Sequence, residues 1–130
     1  MKNNMRLKPK KVGIVNDVVV NKLNLSIKEN TPIFISETNI EHMKSQHPED
    51  YEKYGDKLAD IISNPDYLAL HPKNGSIQYI KIFYDEVKEE RVLVAVRTSK
   101  QGTIYARSLF VMSDEKVKRY EKKNAFKEYK

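Results

Sequence analysis

The spacing of apolar side chains changes twice along this chain, and each change marks a different kind of element. The early run VGIVNDVVVNKLNL (12–25) is rich in β-branched residues and is broken by the turn-favouring pair Asn16 and Asp17, which predicts one or two short strands. Pro32 then opens PIFIS, an extended segment with Ile33 and Ile35 on one face. From Thr38 the period becomes helical. Ile40 and Met43 repeat at three residues, Thr38 with Glu41 matches a capping box, and Pro48 stops the helix. A second helix follows at once, with Glu49 and Asp50 in its first turn and Tyr51, Tyr54, Leu58, Ile61 and Ile62 as an apolar stripe. Gly55 weakens it only locally, and Asn64 before Pro65 ends it near Ser63. Beyond that point the period is two. Residues 67–71, 76–84, 91–99 and 103–112 predict four strands, with turns at Asn74-Gly75 and Gln101-Gly102. Ser113 is the expected N-cap of a short polar helix before a frayed lysine-rich tail.

This order of elements predicts an α+β fold, with two consecutive helices packed on one face of a four-stranded antiparallel meander and a short C-terminal helix. Residues 1–32 are expected to be a basic arm with short strands, 33–120 the α+β domain and 121–130 the tail. A two-residue turn at Asn74-Gly75 pairs Lys73 with Ser76, Leu68 with Lys81 and Leu70 with Tyr79, leaving Lys81 among Ile77, Tyr79 and Phe83. There Lys81 either snorkels to the edge or points into a site as a fixed cation. An even turn in the last hairpin sets Arg97 beside Ala106, on the face of Ile104 and Ser108, with Thr98, Tyr105 and Arg107 on the other; an odd turn reverses that grouping. The strand VLVAVRT is apolar on both sides and ends abruptly in Arg97 and Thr98, so a partly buried cleft at the strand ends is the expected site.

Composition narrows the chemistry. At 130 residues the chain fits one domain. It has no apolar run long enough to cross a bilayer and no hydrophobic stretch after its charged start, so a cytoplasmic protein without a secretory signal is expected. Cysteine is absent, which removes disulfides, thiolate nucleophiles and cysteine-rich zinc sites. The net charge is +6, but it is concentrated at the ends. Residues 1–11 carry five basic and no acidic side chains and residues 114–130 seven basic against four acidic, leaving −2 for the body. The ends therefore read either as solvated arms or as phosphate-gripping ones, and no general basic patch on the fold is implied.

His42 and His47 lie five residues apart, about 140° on a shared helix, which is wrong for a two-histidine metal pair. His47 has two readings: a helix-end residue, or a general acid or base. The second suits RNA cleavage by the 2′-hydroxyl, which needs no metal but does need proton transfer and donors on the phosphate oxygens; Arg97, Lys81 and Ser108 are of the right types. Asp50, Asp56, Asp60 and Asp66 do not gather at metal-ligand spacing, and four glycines form no phosphate loop. No metal or cofactor is expected.

The order of these features resembles a family, the phage-associated branch of the barnase, EndoU, colicin and RelE-like nucleases. The resemblance rests on EHMKSQHPED with its paired histidines, IISNPDYL, SIQYIKIF, VLVAVRT and ARSLF, over about residues 33–120. It implies a small α+β fold with helices on a four-stranded sheet and a metal-independent ribonuclease. His47 would match the helix-end histidine, Arg97 the basic residue of the central strand and Ser108 the last-strand hydroxyl, with Lys81 a further match. His42, Thr98, Tyr105 and Arg107 are then expected to bind substrate, RNA is the expected partner, and an inhibitor or phage protein is a second. The rival expectation is a non-catalytic domain on the same fold that binds nucleic acid or protein.

Overall fold

A computed structural model describes residues 7–130, so the first six residues of the expected basic arm lie outside the described region. The elements run β1 (Lys10–Val15), α1 (Asp17–Lys22), β2 (Thr31–Ile35), α2 (Glu37–Gln46), α3 (Pro48–Tyr54), a 3₁₀ turn (Gly55–Lys57), α4 (Leu58–Ser63), β3 (Tyr67–Leu70), β4 (Ile77–Tyr84), β5 (Glu89–Thr98), β6 (Ile104–Val111), α5 (Asp114–Lys122) and β7 (Lys127–Glu128). The α+β class agrees with expectation, but the sheet does not stop at four strands. The described strands form one seven-stranded mixed sheet in the order β1-β2-β6-β5-β4-β3-β7. The meander β3 to β6 is its centre, and β2 adds to β6 in parallel through Ile33↔Ile104 and Phe34↔Tyr105.

Local chemistry explains the departures. Val18, Val19 and Val20 favour strand, yet they form α1, because the Asn16 side chain accepts from the Val19 amide at 3.0 Å and Val19 and Leu23 bury one helical face. Tertiary burial outweighs the few tenths of a kcal/mol that β-branching costs a helix. Asn24 at φ +53° then closes α1, with Leu25 N bonding Val20 O at 2.9 Å. Asn124 does the same after α5, at φ +55°, and turns the tail back. The tail does not fray there: β7 pairs with β3, and the Tyr129 hydroxyl accepts from Asn16 Nδ2 at 2.8 Å.

The first long helix starts earlier than expected. Its capping box is Ser36 with Asn39 rather than Thr38 with Glu41, since Ser36 is the residue that still has extended backbone. The second is broken at Gly55, where a Cβ would lie 2.9 Å from the Tyr51 ring. The first hairpin is also re-registered. Leu68 pairs with Tyr79 and Leu70 with Ile77, and His71 N reaches Ser76 O at 2.9 Å, so four residues, not two, make the turn.

Alternation then separates two faces. One carries Leu68, Ile77, Tyr79, Val92, Val94, Val96, Ile104, Ala106 and Leu109 and is covered by α1 to α4 with Val19, Met43, Leu58 and Ile61. The other carries Ala69, Ile80 and Leu93 and is covered by Val117 and Tyr120 of α5. Helix α5 shields only part of this second face. What it leaves open is the site.

Candidate active site

A cavity of about 500 Å³ occupies that open part of the sheet. Its floor is made by Leu93, Ala95 and Arg97 of β5 with Gln78 of β4 and Ser108 of β6. One wall is α2, through Thr38, Asn39 and His42, which share a helical face. They can do so because β2 and β6 pair over two residues only, after which α2 packs along β6. The opposite wall is the β3–β4 loop, through His71, Asn74 and Ser76, and Lys116 closes the rim from the first turn of α5.

Two local irregularities aim the basic groups. The loop after β5 closes with Ser99 N on Thr103 O at 2.7 Å and Gly102 at φ +91°, leaving three residues between paired positions. The turn is odd, so Arg97 pairs with Tyr105 rather than Ala106, and Thr98 pairs with Ile104. A bulge then follows: Val96 opposes Ala106 while Ala95 opposes Ser108, which makes Arg107 the extra residue. The bulge restores Ser108 to the face of Arg97 and leaves Ala106 in the core. Without it, Ser108 would point with Ala106 into the helix-covered side. Arg107 Nε is buried with no hydrogen-bond partner among the described residues.

The electrostatics follow from what the lining lacks. Arg97, Arg107 and Lys116 enter it with two histidines, and among the described residues no carboxylate does. Among the described residues none of these three cations takes part in a salt bridge. Asp50, a natural partner for Arg97, instead accepts from the Val111 amide at 2.9 Å. A body of net −2 thus contributes Arg97 and Arg107 to a concentrated positive cavity that Lys116 of the basic C-terminal stretch completes, where the sequence implied no basic patch. Lys116 lies 4.9 Å from the centroid of Phe110, also in the lining.

The histidines differ. His71 Nδ1 accepts from the amides of Lys73 and Asn74 at 3.1 and 3.3 Å, so the neutral ring carries its proton on Nε2 and has no lone pair left to offer. His42 is exposed in the wall with both nitrogens available. Gln78, 3% exposed, accepts from the Tyr120 hydroxyl at 2.7 Å, which leaves its amide N–H groups for the cavity.

Of the residues expected from sequence, the cavity gathers His42, Arg97, Arg107 and Ser108. His47 ends α2 with non-helical backbone and stacks on Phe110 at 5.1 Å, beside the cavity but outside its lining. Because it leaves the helix, the 140° separation from His42 does not apply. Lys81 lies on the other face, with its Nζ donating to Asn64 O at 2.8 Å, and Thr98 and Tyr105 fall outside the lining. His71, Lys116, Asn39 and Gln78 were not legible as site residues. The one signal for His71 was its place at a strand end before Pro72 and the Asn74-Gly75 turn.

Outside the cavity, neighbours and burial perturb several titrating groups. Lys53 is held above its ordinary value chiefly by its hydrogen bond to Glu90, and the same bond, with that from the Tyr54 hydroxyl, holds Glu90 below the ordinary carboxylate value. Burial raises Tyr79, whose hydroxyl has no hydrogen-bond partner among the described residues. Among the described residues no group of three or more His, Asp or Glu is arranged to hold a metal ion, and no helix is long and apolar enough to cross a membrane.

Comparison with known proteins adds one match: the family described as phage-Barnase-EndoU-ColicinE5/D-RelE like nuclease3 matches residues 10–119. No curated protein and no solved structure matches the chain.

Proposed function

The chain belongs to this family of nuclease-like proteins, and from that premise we propose that it is a metal-independent endoribonuclease working by transesterification. The observation that carries this reading is the carboxylate-free cavity, with Arg97, Arg107 and Lys116 around one available imidazole. Its floor spans β4, β5 and β6, two strand spacings of about 4.8 Å, roughly the span of a phosphodiester with hydrogen bonds on both sides.

Elimination assigns the proton transfers. Arginine does not deprotonate, and the His71 lone pair is occupied, so His42 accepts the 2′-hydroxyl proton and Lys116 is the donor. The 2′-oxygen attacks phosphorus, and Arg97, Arg107, Ser108 and the His71 Nε2–H hold the non-bridging oxygens as charge develops. The bond to the 5′-oxygen breaks, Lys116 protonates that oxygen, and the products are a 2′,3′-cyclic phosphate and a 5′-hydroxyl. Solvent then resets both groups. His47 at the rim contacts substrate in this scheme, and Lys81 ties β4 to the end of α4.

The test is cleavage of an RNA and of the same sequence as DNA, in EDTA. Cyclic-phosphate products from RNA alone are expected, with His42→Ala and Arg97→Ala each reducing kcat by ~10²- to 10⁴-fold. RNA left intact, DNA cut equally well, or cutting that needs a divalent cation would each refute the reading. RNA bound tightly but uncut would favour the non-catalytic alternative.

A further inference from the structure

A second depression, of about 410 Å³, adjoins the cavity and shares His71 and Lys116 with it. Its wall is apolar, with Leu70 (40% exposed), Tyr120 and Ala125. Its edge is cationic: Lys73 comes from the β3–β4 loop and Arg119 and Lys123 from one side of α5, four residues apart. No carboxylate lines it, and among the described residues none of these three cations makes a salt bridge. The fold alone does not require an exposed leucine ringed by unpaired cations.

We propose that this depression is a second nucleotide site, holding the phosphate and base next to the cleaved bond. Lys73, Arg119 and Lys123 take the phosphate, and Leu70 and Tyr120 receive the face of the base. The occupant is single-stranded RNA because cations and an apolar wall alternate here as phosphates and bases do along a strand, and because the track is continuous with the cavity through His71 and Lys116. A single strand fits where a duplex, with its bases stacked inward, would present no face to Leu70. The inference rests on the ribonuclease reading of the cavity, and it makes chain length a determinant of affinity.

The experiment compares wild-type protein with the triple variant Lys73→Ala, Arg119→Ala, Lys123→Ala, all exposed positions. Anisotropy of a labelled, uncleavable 2′-O-methyl hexanucleotide is read against salt, and cleavage of a ribodinucleotide is read in parallel. The triple variant should bind the hexamer at least tenfold more weakly and lose about 0.7 unit of log–log salt slope, for the one phosphate these cations share, while dinucleotide cleavage is unchanged. Hexamer binding and slope unchanged, with dinucleotide cleavage intact, would overturn the second site and leave the ribonuclease reading standing; the depression would then suit a protein partner. Wild-type protein that neither binds the hexamer nor cuts the dinucleotide would overturn the ribonuclease reading itself. A Leu70→Glu variant checks the base contact independently, and hexamer affinity equal to wild type would count against it.

Discussion

His71 is cast as a neutral hydrogen-bond donor rather than an acid or base, and His71→Asn separates the two roles. The imidazole accepts two loop amides at 3.1 and 3.3 Å through Nδ1 and presents Nε2–H to the cavity. An asparagine carbonyl can accept the same amides, as asparagines in such turns do, but it has no group at the Nε2 position. The loop keeps its other bonds, from His71 N to Ser76 O, Gly75 N to His71 O and Ser76 N to Asn74 Oδ1. The fold should therefore lose less than about 1 kcal/mol, a few degrees in Tm for a chain of this size. Catalysis loses one donor to the developing phosphorane charge, which is worth ~10²- to 10³-fold in kcat. The assay is kcat for an oligoribonucleotide in EDTA across pH, beside a thermal melt. The variant's pH profile should keep the wild-type shape at a lower height, because His42 and Lys116 move the protons. His42→Asn should instead remove the proton acceptor and lower kcat by ~10²- to 10⁴-fold. A changed profile in His71→Asn would make His71 a proton carrier, and activity within threefold of wild type would deny it any role at the phosphate.

Three further predictions concern the scaffold. Tyr79→Phe should leave stability to urea unchanged or raise it by up to ~1–2 kcal/mol, since it removes a fully buried hydroxyl with no partner; a loss above 1 kcal/mol would reveal a partner. Glu90, lowered by Lys53 first and Tyr54 next, contributes stability that is complete above its ordinary value of 4.5 and is lost as pH falls through its lower folded value. Glu90→Gln should flatten the acid limb of a Tm-against-pH curve, and a parallel limb would show that the network is not what titrates. Gly13→Ala places a Cβ 2.8 Å from Cγ2 of buried Ile62 and should destabilise by ~1–3 kcal/mol in urea unfolding, relieved by Ile62→Ala in the same chain; an unaffected single variant would mean β1 and α4 separate freely.

Much of the fold was legible locally. The change from a three- to a two-residue period at Asn64-Pro65 placed the central strands to within a residue or two at most ends, because alternation and turn residues act over a few positions. Ser113 capped its helix as expected, with its side chain accepting from Lys116 N. The edges of the sheet were less legible: β2 joins β6 in parallel across some seventy residues, and β7 joins β3 through a lysine-rich tail. Long-range pairing leaves no periodic trace in either partner. For the same reason α1 read as strand, since its valines are helical only because Val19 and Leu23 have a core to enter.

The candidate site divides along the same line. Residue types and strand ends pointed to Arg97, Ser108 and Lys81 as groups for a phosphate, with His42 and Arg107 for substrate, and of these all but Lys81 line one cavity. Their common orientation came from an odd turn and a bulge at Arg107, single-residue events that reverse every side chain beyond them. Lys81 shows the cost of a two-residue shift in register: its face was read correctly, but its neighbour across the strand was not, and it serves Asn64 instead. His71 needed the loop to fold before its ring acquired a fixed tautomer, and Lys116 needed α5 to pack on part of the sheet face with its first turn at the cavity rim. Sequence alone therefore determined the central strands, the starts of the long helices to within two residues and the chemical types near the strand ends, but not α1 or β7, because the former depend on neighbours in the chain. Tertiary structure decided which of them share a cavity, because that depends on register, bulges and the packing of segments far apart.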